Sequence, residues 1–131
     1  MWLSSLTDEQ RQALLGLAHN VVVSDGLLDP NEEFMLDEFK REMELHPATE
    51  SDYLELDGIG ATFGSRRARA IAMLNLLRLG YVDGAFEVEE EYLLREVAEA
   101  FGIGGDDFLL MHNWVKRLVA LEQEARSFMR P

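Results

Sequence analysis

Apolar residues along this chain recur at steps of three and four, the period of helices that turn one face to a core. Leu14, Leu17, Ala18 and Val21 predict a first helix over about 8–24. Thr7 followed three residues on by Gln10 has the form of a capping box that would start it. Asp25-Gly26 supplies the stop, because glycine takes the left-handed conformation that closes a helix. Asp29-Pro30-Asn31-Glu32 then opens a second helix. Asp29 can cap it, Pro30 suits the first turn, and Glu32 lies where an acid reaches back to the cap. That helix is expected over about 30–45, through Met35, Leu36, Phe39 and Met43, until His46-Pro47 ends it.

Residues 47–64 lose the period and contain the breakers Asp57-Gly58-Ile59-Gly60 and Gly64, which predicts a short helix over about 51–56 and then a loop. Helical spacing resumes over about 66–82 with Ala70, Ile71, Leu74, Leu77 and Tyr81, and over about 87–101 with Leu93, Leu94, Val97 and Phe101. Past the turn Ile103-Gly104-Gly105, Asp106 is expected to cap a closing helix over about 106–130. Its stripe Leu110, Trp114, Leu118, Leu121, Ala125 and Phe128 is expected to pack across the preceding helices, since none of them covers its own apolar face alone. Val21-Val22-Val23 has the composition of a strand but lies in helical register, so the expected fold is all-α.

One phrase occurs twice. Asp25-Gly26 with Glu32 and Glu33 returns 58 residues later as Asp83-Gly84 with Glu90 and Glu91. The same gapless offset pairs Leu28 with Phe86, Asp29 with Glu87, Phe34 with Tyr92, Leu36 with Leu94 and Phe39 with Val97. We read a helical bundle of two pseudo-symmetric helix-turn-helix repeats, about 8–45 and about 66–103, with the closing helix completing a single domain over 1–131.

Charge narrows the partners. A net charge of -13 argues against the broad basic footprint of a nucleic-acid binder and favours divalent cations or a basic protein surface. The chain has no cysteine, hence no disulfide framework and no thiolate chemistry. No segment approaches the roughly 20 apolar residues of a membrane span, and the first residues lack a basic and then apolar leader. The expectation is a cytoplasmic protein away from membranes, with a homodimer left open. The basic island Ser65-Arg66-Arg67-Ala68-Arg69 opens a predicted helix against its dipole, so acidic neighbours are expected around it.

The candidate chemistry lies in the two elbows. Asp25, Asp29, Glu32 and Glu33 crowd one, and Asp83, Glu87, Glu90 and Glu91 the other. Four carboxylates within two turns repel unless they are solvated, paired or holding a cation. Oxygen-only ligands suit calcium or magnesium. The motif Asp-Gly-x-apolar-x-x-x-Glu matches the back half of an EF-hand loop, but the front ligand positions fall on Val21 and Val23, and on Leu79 and Tyr81, which offer calcium no side-chain carboxylate. His19, His46 and His112 are scattered and form no ligand pair. No nucleophile with a base and no phosphate-cradling loop is present, so no enzymatic activity is expected.

The phrases Val21 through Leu36 and Leu79 through Leu94 resemble the TerB-like family, named from bacterial tellurite-resistance proteins, with the likeness running from about Leu14 to Ile103. The resemblance implies an all-helical fold with internal repeats and a metal-associated or stress-response role. Position by position it points to Asp25 and Glu32 in the first copy and to Asp83 and Glu90 in the second. Two functions follow. One is a non-enzymatic protein that binds hard cations at both elbows; the alternative is an acidic protein-protein interaction module whose repeated acids only cap helices.

Overall fold

The computed structural model describes residues 1–24, 29–82 and 86–131. Among them every regular element is helical: a short 3-10 turn at Leu3–Ser5, then α1 (Asp8–Val23), α2 (Pro30–Glu42), α3 (Ile59–Thr62), α4 (Arg66–Gly80), α5 (Val88–Ala100) and α6 (Gly105–Phe128). α1 and α4 form the centre. They pack on each other, α2 leans on α1, and α5 and α6 lean on α4. Their burial is correspondingly broad. Leu14, Leu15, Leu17, Ala18, Val21 and Val22 of α1 are all buried, as are Ile71, Ala72, Met73, Leu76, Leu77 and Leu79 of α4, because a helix enclosed on several sides must be apolar on several sides.

The helix starts follow their local chemistry. Thr7 Oγ1 accepts from Gln10 N–H at 3.2 Å while Gln10 Oε1 accepts from Thr7 N–H at 3.0 Å, the reciprocal box expected from the sequence. Ser65 Oγ caps α4 by accepting from Ala68 N–H at 3.1 Å. Asp29 caps α2, with Asn31 N–H donating to its Oδ1 at 2.7 Å. α6 differs from expectation. Its N-cap is Gly104, so Asp106 and Asp107 sit inside the first turn, where negative charge complements the dipole without capping.

The end of α2 also differs. The helix stops at Glu42, ahead of Pro47, because Glu44 enters the left-handed region at φ 58. Leu45 N–H then donates to Lys40 O at 2.8 Å and Glu44 N–H to Arg41 O at 3.1 Å, the paired bonds of a Schellman closure. α5 closes likewise through Gly102 at φ 72, with Ile103 N–H donating to Ala98 O at 2.8 Å and Gly102 N–H to Glu99 O at 2.9 Å.

Residues 51–55 are not helical; the short helix instead follows Gly58, at Ile59–Thr62. The reason is a side chain of α1. Buried Asn20 donates to Leu54 O at 2.8 Å and accepts from Leu54 N–H at 3.0 Å, so it holds both backbone groups that a local helix would have used. Gly16, one turn earlier, lets Leu54 lie close: a Cβ there would stand 2.9 Å from the Leu54 Cβ.

α6 turns a different face inward from the one its spacing suggested. Phe108 and Val115 are buried, with Met111, Trp114 and Val119 packed against the core, whereas Leu110, Leu121 and Phe128 are exposed. The helix lies chiefly along α4. No helix among the described residues is long and apolar enough to cross a membrane.

Candidate functional site

Each acidic elbow is the joint between the two helices of a hairpin, α1 to α2 and α4 to α5. At the first, Asp29 is engaged as the α2 cap, Glu33 is exposed, and Glu32 is buried at 2 % exposure. At the second, Glu90 is buried at 4 % exposure and its Oε1 accepts from Glu87 N–H at 3.2 Å. Glu87 itself is exposed, and Glu91 is bridged by Arg95 at 3.1 Å, one turn along α5. The structure therefore places the six described acids of the predicted eight in different environments. Asp25 and Asp83, with Gly26, Leu28 and Gly84, lie outside the described residues. Among the described residues no three acidic or histidine side chains gather closely enough to hold a metal ion.

A groove lies between the start of α2, the end of α4 and α6, and none of the six described acids of the joints lines it. Asn31 and Phe34, from the first turns of α2, line it together with Tyr81 and Val82 from the end of α4, and Val119 and Glu122 of α6 complete its wall. Glu122 accepts from Arg78 at 3.0 Å across that wall.

Beside the second joint stands an aromatic cluster that sequence reasoning passed over. Tyr81 hydroxyl hydrogen-bonds His112 Nε2. The Phe86 ring meets Tyr81 edge-on at 4.3 Å between centroids and His112 at 5.1 Å. Phe108 closes the other side of the imidazole, and the Arg95 guanidinium lies 5.0 Å over the Phe108 ring. Burial pushes the Tyr81 phenol above its ordinary value, and the Glu91 charge adds to this. Burial pushes His112 below its ordinary value; Glu91 opposes that shift, while Arg95 and Lys116 reinforce it. The available signal was the four-residue step from Phe108 to His112, which puts both on the side of α6 that faces the core.

The other histidines are also satisfied locally: His19 Nδ1 meets Ser51 Oγ at 3.2 Å, and His46 Nδ1 accepts from Ala48 N–H at 2.9 Å. At Arg69 the basic island meets carbonyls in place of the expected acidic neighbours. Arg69 donates from Nε to Phe63 O at 2.7 Å, from Nη1 to Phe101 O at 3.1 Å and from Nη2 to Gly60 O. Backbone carbonyls, two of the three at helix C-caps, take the place of carboxylates.

The family model described as tellurite resistance protein TerB matches residues 49–113. Over this segment the chain is TerB-like. The match runs from Thr49 to Asn113, so it takes in α3, α4, α5, the second acidic joint and the start of α6, including Tyr81 and His112. The first joint of the chain precedes it. No curated protein matches the chain, and no solved structure does.

Proposed function

We propose that this chain is a TerB-like, non-enzymatic, cytoplasmic binder of hard divalent cations, calcium or magnesium, built from two copies of one helical hairpin. The observation that carries the reading is the burial of Glu32 and Glu90, 58 residues apart, each in the first turn of the second helix of its hairpin. Carboxylates are rarely taken out of water at all, and doing so costs several kcal/mol unless the charge is compensated. Finding it at the same position in both hairpins supports a shared role at the joints, with Asp25, Asp29 and Glu33 near one in sequence and Asp83, Glu87 and Glu91 near the other. The matching bounds of α2 and α5, 58 residues apart at both ends, support the view that the hairpins are related copies. A stress or tellurite-resistance role is the biological setting this proposal assigns.

A second reading has its own observation. The bond from Glu87 N–H to Glu90 Oε1 is what a helix cap requires, and it favours an acidic interaction module in which the repeated acids only start helices and the surface docks a basic protein. Calorimetric titration of the whole chain with calcium and magnesium, against potassium, decides between them. A cation bound only by the folded state at a hundred times its dissociation constant adds about 2.7 kcal/mol of stability. Glu32→Gln and Glu90→Gln should abolish that response under the cation reading and leave salt-sensitive docking under the other. A wild-type chain with no divalent-specific response would end the cation reading.

A further inference from the structure

α6 carries two apolar stripes, and the bundle uses one of them. Phe108, Met111, Val115 and Val119 face the core, and half-buried Trp114 also packs against it. The outward side, stepping by four and three residues, presents Leu110, Trp114, Arg117, Leu121, Glu124 and Phe128. Leu110, Leu121 and Phe128 are 66, 61 and 79 % exposed, and half-buried Trp114 is extended sideways by the Trp2 ring, 6.4 Å away. Alternating steps of four and three over a 24-residue helix of about 36 Å are the spacing of a seam between two packed helices. Isolated exposed apolar residues need no explanation, but a row of them aligned along one face of a helix does.

We propose that a second copy of this chain covers the seam, the two α6 helices packing antiparallel about a two-fold axis at Leu121. The argument is self-complementarity, which a two-fold interface demands of a single surface. Trp114 and Phe128 lie seven residues to either side of Leu121, so antiparallel pairing brings the Trp114 ring of each copy to the Phe128 ring of the other. Arg117 lies four residues before Leu121 and Glu124 three after it, so the only charges on the seam meet as opposite pairs, twice over. Parallel pairing would instead set Arg117 against Arg117 and Glu124 against Glu124.

The rest of the molecule permits this contact. The chain as a whole is at -13, yet from Lys116 to Arg130 it carries Lys116, Arg117, Arg126 and Arg130 against Glu122 and Glu124. The joined surfaces thus lie in a stretch where basic residues outnumber acidic ones, and the longer-range repulsion is screened beyond about 8 Å at physiological salt. An acyl-chain surface is a poorer occupant, because Glu124 sits on the midline of the seam and would have to leave water without a partner.

Sedimentation equilibrium of the full chain, from micromolar to millimolar concentration, tests the proposal. The apparent mass should rise from 14.9 kDa toward twice that value, and the association should tighten as salt is raised from low to physiological strength. Leu121→Glu and, as an independent variant, Leu110→Glu replace exposed side chains and should keep helicity and melting behaviour while holding the protein at monomer mass. Arg117→Glu and Glu124→Arg should each weaken association by roughly tenfold or more, and the double exchange should restore it, because like charges opposed across an interface are costly and opposite ones are not. A wild type that stays at 14.9 kDa throughout overturns the proposal. So does a dimer indifferent to Leu121→Glu, a double exchange no better than its singles, or vesicle binding through α6 by a chain that never dimerises.

Discussion

Arg11 and Arg69, 58 residues apart, hold the same station in the two hairpins: each donates from Nη1 to the carbonyl of the residue that closes its hairpin's second helix, Met43 O at 2.8 Å and Phe101 O at 3.1 Å. Each also donates from Nε to a carbonyl just ahead of its own helix, Leu6 O at 3.0 Å and Phe63 O at 2.7 Å. One planar fork thus ties the start of the first helix to the end of the second. The last carbonyls of a helix lack intrahelical partners and carry the negative end of its dipole, so a guanidinium there answers both needs.

Arg11→Ala and Arg69→Ala should each cost about 1.5–3 kcal/mol, the range for hydrogen bonds to a charged donor. Lysine should recover only part of the loss, because a point charge cannot reach two carbonyls as a fork does. Urea denaturation of the whole chain measures this. A loss below about 0.5 kcal/mol in either variant, the scale of an ordinary surface change, would show the clamp to be incidental.

The helices were legible because their signals are local. Thr7 with Gln10, Asp29 with Pro30, and the steps of Leu93, Leu94 and Val97 lie within a few residues of what they determine. What was illegible depends on distant groups. Nothing near residue 54 in sequence says that Asn20 will hold its backbone, and nothing near Arg69 says that its partners are carbonyls rather than acids. α6 was misread for another reason: it has two stripes of helical spacing, and periodicity cannot say which one finds the core. At the candidate site the repeated phrase located the two joints, while the differing environments of Glu32, Glu33, Glu90 and Glu91 arise from packing that the phrase does not encode.

Gly80, in the last turn of α4, tests the packing at the second joint. A Cβ there would stand 2.5 and 2.6 Å from atoms of the Phe86 ring, closer than real contacts allow. In an exposed helix, glycine to alanine gains roughly 1 kcal/mol of propensity. Here overpacking, typically about 1–3 kcal/mol, should win because a rigid ring must move. Gly80→Ala should therefore be destabilising, and Gly80→Ala with Phe86→Leu should recover stability relative to Gly80→Ala alone. A more stable Gly80→Ala protein would contradict the packing described.

Stability should fall on mild acidification through His112. Its folded pKa lies below the ordinary 6.5, chiefly through burial, so the unfolded chain takes up the proton first. The contribution is fully present above about pH 6.5 and is lost as pH falls through the folded value. Tyr81 acts at the other end: its folded pKa is above 10.0, so its contribution holds below that and is lost as pH rises through the folded value. His112→Gln keeps an acceptor for the Tyr81 hydroxyl without titrating. It should flatten the stability profile between about pH 7.5 and 5, as read by thermal melts, relative to wild type. Identical slopes for the two proteins would remove His112 from the account.

The two Schellman closures give the sharpest paired test, because they set a glutamate and a glycine in the same backbone conformation 58 residues apart. Glu44 sits at φ 58 and Gly102 at φ 72. A side chain in the left-handed region costs roughly 1–2 kcal/mol, while glycine adds roughly 0.5–1 kcal/mol of unfolded-state entropy to be lost. The first term exceeds the second, so Glu44→Gly should stabilise the protein by a few tenths to about 1 kcal/mol. Gly102→Ala should destabilise it by about 1 kcal/mol, even though nothing stands within 4 Å of the added Cβ and no clash contributes. Opposite signs at the two positions, measured by denaturant midpoints with unchanged slopes, are the expected result. The same sign at both would mean that the closures do not set the helix ends as their hydrogen bonds indicate.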